Sequence, residues 1–312
     1  DENIQKLLNK KPHIFIYTLE SIGSKNLLPS VDGYANNDIT PNIASLQKNG
    51  ITFSNVYDTF PSTTRTHIPL ETGGITPTMG SIEEQNKNYY TGETLTKYIQ
   101  KLGYETALFA ASDLRFEGLD QFYKHFHYDK FHHYGNAGDK FRSKSYLNSW
   151  GGTDHDMIDE AFKYLDKRDR IEQKPLFMHL LPDASHHPYT TPSKFLNKYG
   201  KHISSDRYEN YQTVLHYTDE CIGILIDGLK KRNMWDNSVM ILVGDHGEAF
   251  GQSHKNHPKN FLHKNFLYSE NIMTFFIFSH SSVSSKKSSI ISKRFASVGD
   301  FFPSTIGFLN KV

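Results

Sequence analysis

An acidic residue and an imidazole stand at the end of an apolar run near the C-terminal part of the chain. The run 238–244 is followed directly by Asp245, His246 and Gly247. This pattern predicts a buried strand that delivers Asp245 and His246 to the carboxyl edge of a sheet, where open α/β sheets place their chemistry. Because the chain turns there, both side chains can face one cation. A turn in which Asp245 only caps the backbone is the alternative that this segment alone leaves open.

Four further polar clusters also follow, or extend, the ends of apolar runs. Glu20 comes directly after the run 13–19, a position equally consistent with an acid at a helix N-terminus. Thr63 lies in a hydroxyl-rich segment before a helical pattern, where N-capping is the alternative to nucleophilic chemistry on a bound cation. The remaining clusters contain His186, His254, His263 and Lys264. Five such clusters on one predicted rim indicate a metal-assisted ester site.

Alternating strands and helices must position these clusters. The predicted strands are 13–19, 51–57, 105–111, 176–181, 238–245 and 273–279. The predicted helices are 42–49, 63–72, 92–102, 155–168, 205–233 and 300–310. This order predicts an α/β fold with one domain, a mainly parallel central sheet and helices on both faces. We assign 1–12 to a linker and 13–312 to the catalytic domain, with 112–153 as an insertion over the active edge.

Composition excludes several classes of protein. The net charge is +1 over 312 residues, so no overall positive field is available to attract nucleic acid. Cys221 is the only cysteine, which excludes an intramolecular disulfide and a cysteine-based metal site. No run approaches the roughly 18–20 apolar residues of a membrane-spanning helix.

Several of these segments together resemble the sulfatase-like branch of the alkaline phosphatase superfamily, across nearly the whole chain. The similar segments are Thr40-Pro41-Asn42 with Gly50, Phe53, Asn55 and Tyr57; the loop from Thr63 through His67 to Thr72-Gly73; His186-His187-Pro188-Tyr189; Asp245-His246-Gly247-Glu248; and Lys264 with Tyr268 and Glu270. The resemblance implies an alkaline phosphatase-like fold. It also implies one divalent cation, with Zn favoured and Mn or Ca as alternatives.

The resemblance assigns roles to individual residues. The implied metal ligands are Glu20, Thr63, Asp245 and His246; the implied catalytic residues are Thr63, His186, His263 and Lys264; and the implied substrate-binding residues are Arg65, His67 and His254. Thr63 falls on the nucleophile of the family pattern, because the run from Tyr57 to Gly73 matches it without a gap.

One departure from the family pattern reduces the number of possible activities. Aldehyde-dependent sulfatases need Cys or Ser where this chain has Thr63, and threonine cannot form that aldehyde. A single acid at Glu20 with a threonine nucleophile is similar to the phosphoethanolamine and phosphoglycerol transferases of bacterial envelopes. We therefore predict transfer of a phosphoethanolamine-like group through a phospho-threonine. The alternatives are a sulfatase-like hydrolase of phosphate or sulfate esters, and a non-catalytic binding module on this fold.

The transferase interpretation carries expectations about partners and location. It implies a donor and an acceptor that are lipid- or glycan-linked phosphates, and no nucleic acid. It also implies a parent chain anchored in the membrane of the cell envelope, with the catalytic domain outside the cytoplasm.

Overall fold

A sheet of mainly parallel strands forms the centre of the molecule. The computed structural model describes residues 11–28, 35–36, 38–76, 92–136, 150–168, 174–280 and 289–309. Within these ranges the strands are β1 (His13–Leu19), β2 (Gly50–Tyr57), β3 (Glu105–Ala110), β4 (Lys130–His133), β5 (Leu176–Leu181), β6 (Ser238–Gly244), β7 (Ala249–Gln252), β8 (Asn260–Leu262), β9 (Met273–His280), β10 (Ile290–Ser292) and β11 (Ala296–Ser297). All six predicted strands are present. Their bounds differ from the predicted ones by one residue at most.

The order of the strands in the main sheet is β10-β2-β9-β6-β1-β5-β3-β4, with β11 also paired to β2. Strand β9 pairs antiparallel with β2 and β6, whereas the other pairs in this sheet are parallel. The prediction of a mainly parallel sheet is confirmed. The sequence did not indicate the reversed direction of β9, because an apolar run has the same composition in either direction.

Helices cover both faces of the sheet. They are α1 (Ser24–Leu27), α2 (Pro41–Lys48), α3 (Thr63–Thr72), α4 (Leu95–Lys101), α5 (Leu119–Lys124), α6 (Asp154–Lys167), α7 (Ser193–Lys198), α8 (Arg207–Lys231), α9 (Ser269–Ile272) and α10 (Phe301–Leu309). Successive side chains of β1 alternate between two buried clusters. Phe15 and Tyr17 pack with α2, α6 and α8, while Ile14 and Ile16 pack on the face covered by α3, α4, α5 and α10. This arrangement confirms a single α/β domain with a two-faced core.

Some segments differ from the sequence-based expectation or lie outside the described ranges. The predicted insertion 112–153 contains the edge strand β4 and helix α5. Part of it therefore belongs to the sheet and the helices of the domain and is not an insertion. Strands β7 and β8 form a separate two-stranded hairpin after the Asp-His-Gly segment.

Most of the predicted linker, 1–10, and positions 137–149 of the insertion lie outside the described residues, so the linker boundary stays a prediction. None of the helices within the described ranges combines the length and apolarity needed to cross a bilayer.

Candidate active site

Three neighbouring strands deliver polar residues to one point on the carboxyl edge of the sheet. Strands β6, β1 and β5 lie side by side and run in the same direction. Leu19 pairs with Gly244 in the register of β1 and β6. Glu20 and Asp245 therefore leave adjacent strands at the same level. The backbone N–H of Asp245 donates to Leu19 O at 3.2 Å and fixes this junction.

Glu20, Asp245 and His246 form a buried group that can hold a metal ion. One ligand atom from each lies within 4.8 Å of the other two. Nε2 of His246 is 3.6 Å from Glu20 Oε1 and 3.4 Å from Asp245 Oδ2. Nδ1 of His246 is 3.0 Å from Gly247 O, and a carbonyl can only accept, so Nδ1 carries the proton. This bond turns the lone pair of Nε2 toward the two carboxylates, the usual arrangement for a metal-binding histidine.

The electrostatics of this group fit a bound cation. Asp245 Oδ1 accepts from the backbone N–H groups of Ser21 at 2.9 Å and His246 at 2.5 Å. Asp245 Oδ2 is buried and has no hydrogen-bond partner among the described residues. Burial and the charge of Glu20 raise the pKa of Asp245 well above its usual range. A divalent cation would relieve both costs, because it would coordinate the orphaned oxygen and offset the repulsion.

The other two members of the group, Glu20 and His246, have pKa values that keep one ionised and the other neutral. Burial raises the pKa of Glu20, but the imidazoles of His186, His246 and His263 outweigh this and bring it to about 2. Burial, followed by the repulsion from His263, lowers the pKa of His246 to about 3. At neutral pH, Glu20 is therefore ionised and His246 is neutral, which are the forms that bind metal.

Helix α3 directs one of three adjacent hydroxyls to these ligands. Thr63, the first residue of the helix, donates from Oγ1 to Glu20 Oε2 at 2.9 Å and lies 3.5 Å from His246 Nε2. The neighbouring Thr64 donates instead to Glu117 Oε2 at 2.8 Å. Ser62 is buried at the N-cap position, and its hydroxyl has no partner within the part of the chain that the structure describes. Thr63 is therefore the hydroxyl that combines the helix N-terminus with the acidic group.

The other predicted catalytic residues meet in the cleft above Thr63. His186, His263 and Lys264 line this cleft together with Glu20 and Thr63. The rings of His263 and His246 are 4.2 Å apart, and those of His263 and His186 are 6.0 Å apart. Four strand-end clusters that are distant in sequence therefore share one cleft.

Glu248 is a functional residue to which the sequence interpretation gave no role. It is fully buried, and its Oε2 accepts a hydrogen bond from His263 Nδ1 at 3.1 Å. This bond orients the imidazole and leaves Nε2 of His263 for the cleft, as a carboxylate does behind a catalytic histidine. The signal was present, because Glu248 ends the Asp-His-Gly-Glu segment. Only the fold shows which histidine it contacts.

The structure does not bring the three predicted substrate-binding residues into the cleft. His67 is 1% exposed and bonds through Nδ1 to the Tyr123 hydroxyl. Arg65 is 8% exposed, and its guanidinium lies 4.6 Å from the centre of the Phe60 ring. These contacts place both residues in the interior around α3. Their substrate contacts, which the resemblance implied, have no support in this geometry.

His254 lies on the hairpin side of the site. Its Nε2 is 2.6 Å from Glu270 Oε1, and its ring stacks on Tyr268 at 3.6 Å. Asn260 also donates to Glu270 at 2.9 Å. His254 is therefore part of the polar network that attaches the β7–β8 hairpin to α9, and it does not line the cleft described above.

Residues from the predicted insertion form the outer wall of the cleft. Phe116, Glu117 and Trp150 line it together with Lys264. The sequence interpretation identified this region as a cover over the active edge but singled out none of the three. Their segment has no periodic pattern, so no spacing indicated which side chains would face inward.

Comparison with known proteins agrees with the fold. The family model described as Sulfatase matches residues 12–311. Over 260 residues the chain is 25% identical to a lipoteichoic acid synthase-like protein, YvgJ, of Bacillus subtilis, covering 82% of this chain and 40% of that protein. The chain spans less than half the length of the curated relatives it matches.

Solved structures with the same fold include a lipoteichoic acid synthase and a periplasmic domain. The lipoteichoic acid synthase LtaP from Listeria monocytogenes superimposes with a TM-score of 0.75 at 19% identity, over 99% of this chain and 77% of that one. The C-terminal periplasmic domain of EcEptC from Escherichia coli, solved in complex with Zn, gives a TM-score of 0.66 at 18% identity, over 96% and 82% of the two chains. At these identities the likeness shows the fold.

Proposed function

The chain belongs to the sulfatase family, and from this premise we propose that it is a metal-dependent phosphotransferase acting through a covalent intermediate on Thr63. The observation that carries the proposal is the contact of the Thr63 hydroxyl with Glu20, beside His246 and the orphaned oxygen of Asp245. An aldehyde-dependent sulfatase is incompatible with a threonine in this place. A non-catalytic module would have no use for a nucleophile, an acid group and a cleft at one point.

Glu20, Thr63, Asp245 and His246 would hold the metal in this proposal. Carboxylate, hydroxyl and imidazole donors suit Zn, with Mn or Ca as alternatives, and the related EcEptC domain was solved with Zn. When bound, the cation lowers the pKa of the coordinated hydroxyl and offsets charge on the phosphate.

The residues of the chain then carry out two displacements at phosphorus. Thr63 Oγ1 loses its proton to solvent and forms a P–O bond, while the bond from phosphorus to the donor oxygen breaks. His263 in its protonated form gives a proton to that leaving oxygen. In the second step, neutral His263 takes the proton of an acceptor hydroxyl, whose oxygen bonds to phosphorus. The Thr63–phosphorus bond breaks, and Thr63 Oγ1 takes a proton back from solvent.

Two other cleft residues bind the phosphate in this scheme. Lys264 and His186 line the same cleft as Thr63 and can neutralise the equatorial oxygens of the transferred group. His186 is oriented by a hydrogen bond from its Nδ1 to His187 O at 2.8 Å, so its Nε2 is available to a substrate.

We propose that the transferred group is phosphoethanolamine-like and that its donor and acceptor are lipid- or glycan-linked. The names of the relatives support a lipid-linked substrate, since they include lipoteichoic acid synthases, and one solved relative is a periplasmic domain. On the same grounds we propose a location in the cell envelope, outside the cytoplasm, with a membrane anchor in the parent chain.

The test is to trap the intermediate. Purified protein loaded with Zn is incubated with the p-nitrophenyl ester of phosphoethanolamine, quenched in acid and digested for mass spectrometry. We expect the added group on Thr63, together with a burst of nitrophenol. Thr63→Ala should lose the burst, whereas Ser62→Ala and Thr64→Ala should keep it. Modification of Ser62 or Thr64, or full turnover by Thr63→Ala, would overturn the assignment.

A second measurement separates transfer from hydrolysis. After the burst, steady turnover is compared with and without a primary alcohol as acceptor. A transferase should turn over slowly in water and accelerate with the alcohol, yielding the alkyl phosphodiester. Equal rates and free phosphoethanolamine as the only product would instead identify a hydrolase.

A further inference from the structure

We infer that Glu117, together with the aromatic pair Phe116 and Trp150, recognises a protonated amine on the transferred group. This inference rests on the proposed function, because it assigns a specificity-determining residue within the same cleft. It narrows the substrate class to phosphodiesters of an amino alcohol. Glycerol and simple alkyl phosphodiesters are the excluded alternatives.

The carboxylate of Glu117 lies close to the proposed nucleophile. Its Oε2 accepts from the Thr64 hydroxyl at 2.8 Å, and Thr64 adjoins Thr63 in the chain. Its Oε1 is 3.4 Å from Lys264 Nζ, whose side chain is half exposed, so this contact is weak. When Lys264 turns to a substrate phosphate, Oε1 becomes accessible to a second cation. An ammonium two carbons away from the phosphate oxygen is the cation that a substrate would provide.

The aromatic pair beside Glu117 can bind the same ammonium group. The Phe116 and Trp150 rings meet edge to face with centroids 5.2 Å apart, and both rings line the cleft. Trp150 is fixed from behind, because its indole N–H donates to His187 O at 2.9 Å and its carbonyl accepts from Asp113 N at 2.9 Å. Aromatic faces and a carboxylate in one wall form the usual recognition site for an organic ammonium.

The backbone at Glu117 is consistent with a binding role. Glu117 has φ 51° and ψ 19°, a left-handed conformation that costs free energy for a residue with a side chain. The following Gly118 has φ 68°, so two successive left-handed residues shape this part of the loop. Hydrogen bonds from Gly118 N to Arg115 O and from Asp120 N to Leu114 O hold the loop around them. The loop thus keeps a carboxylate in the cleft lining despite an unfavourable backbone geometry.

Asp113 provides a matched control carboxylate in the same cleft. It also lines the cleft, but Arg115 binds both of its oxygens, with distances of 2.9 and 3.0 Å from Nε. The guanidinium already neutralises this group. Asp113 therefore has the same charge as Glu117 and a similar location, but its pairing with Arg115 leaves it unsuited to bind an ammonium.

The experiment compares two substrates that differ only at the amine. They are the p-nitrophenyl esters of phosphoethanolamine and of propyl phosphate, in which a methyl group replaces the ammonium. We expect the Zn-loaded wild-type protein to favour the amine ester by about tenfold in kcat/KM, the effect of one partly exposed charged hydrogen bond. Glu117→Gln should reduce this ratio to near one, while Asp113→Asn should keep it. Lys264→Ala should slow both substrates and preserve the ratio.

The possible outcomes separate this inference from the proposed function. If wild-type protein reacts with both esters at equal kcat/KM, or if Glu117→Gln retains the preference, the inference is wrong and the transferase proposal stands. A preference for the p-nitrophenyl ester of phosphoglycerol over the amine ester would also overturn it. If neither ester gives a covalent intermediate on Thr63, the proposed function itself fails. Melting temperatures of the variants show whether a lost preference reflects unfolding.

Discussion

Helix α3 has two polar regions that face different environments. Its first residue, Thr63, is directed into the cleft, where it bonds to Glu20. Further along the same helix, His67 and Glu71 point into the interior and are 1% and 2% exposed. The residue types alone do not separate these regions, because a threonine, a histidine and a glutamate are all common in active sites.

In the buried region the carboxylate of Glu71 has a full set of hydrogen bonds, whereas at the cleft the carboxylate of Asp245 does not. Glu71 accepts from the Thr96 backbone N–H at 3.2 Å, the Thr96 hydroxyl at 3.0 Å and the Tyr128 hydroxyl at 3.0 Å. At the cleft, Asp245 Oδ2 has no partner among the residues the structure describes. A polar group whose partners are complete contributes to stability. An orphaned charge beside a nucleophile indicates chemistry, because a ligand is needed to complete it.

A second buried imidazole, in which one of the two ring nitrogens is hydrogen-bonded, lies beneath the site. His179 on β5 bonds through Nε2 to the Thr18 hydroxyl at 2.8 Å and stacks on His67 with ring centres 6.0 Å apart. Burial lowers the pKa of His67 to about 4 and takes that of His179 well below its usual range. Both rings are therefore neutral near pH 7. They support the nucleophile helix without adding charge to it.

The largest effect is expected for a substitution in the cleft. Asp245→Asn removes a charged metal ligand, so the bound metal should fall to background and turnover should drop by at least about 10³-fold. The same change removes the repulsion between Asp245 and Glu20, so the metal-free variant should unfold at the same temperature as wild type or above it. Elemental analysis, turnover of the nitrophenyl ester and thermal unfolding in chelator measure the three quantities.

Retention of metal would contradict this assignment of Asp245. If Asp245→Asn binds Zn as wild type does, the orphaned oxygen is not a ligand. A marked loss of stability in chelator would mean that this carboxylate belongs with the buried, satisfied groups. The distinction drawn between the two regions of the molecule would then be wrong.

A substitution in the buried region should have the opposite signature. His67→Ala leaves a cavity and an unpaired Tyr123 hydroxyl, which should lower the free energy of unfolding by about 3 kcal/mol. The KM of the folded fraction should change by less than about twofold, because His67 does not line the cleft. Denaturant unfolding and steady-state kinetics test both parts of this prediction.

His254→Ala is the matched control for the buried histidine. The His254 side chain is 30% exposed and pairs with Glu270, so its loss should cost less stability than the loss of His67. An increase in KM for His67→Ala with unchanged unfolding would restore the substrate-binding role that the family resemblance implied.

The sequence was sufficient to predict the framework of the site. Apolar runs that end abruptly in Glu20 and Asp245 could be recognised as strands, and parallel strands must bring their ends to one edge. The bounds of α3 were also predictable, since Gly73 ends the helix in a left-handed conformation with φ 66°. Thr63 followed from the ungapped family pattern.

The rest depended on contacts that no local pattern encodes. Whether His67 faces the cleft or the interior depends on the rotation of α3 and on Tyr123, which is more than fifty residues away. Glu117 and Trp150 come from an aperiodic segment, so their inward direction could not be derived from hydrophobic spacing. The pairing of Glu248 with His263 likewise required the position of the β7–β8 hairpin.

The smallest effect concerns the pH dependence of stability and tests whether Glu71 belongs to the satisfied region. Burial raises the pKa of Glu71 from 4.5 to about 7, although its bonds from Thr96 and Tyr128 oppose the increase. Between these two values the folded protein holds a proton that the unfolded chain has lost. The contribution of Glu71 to stability is therefore complete below about pH 4.5 and declines as pH rises through 7. Between pH 5 and pH 7 this decline should amount to about 2 kcal/mol.

Glu71→Gln mimics the protonated side chain and should lack this component, so the variant should gain stability relative to wild type as pH rises. Denaturant unfolding of both proteins at pH 5, 6, 7 and 8 gives the difference directly and cancels other titrating groups. A constant difference across this range would show that Glu71 is ionised in the folded protein, as Glu20 is in the cleft.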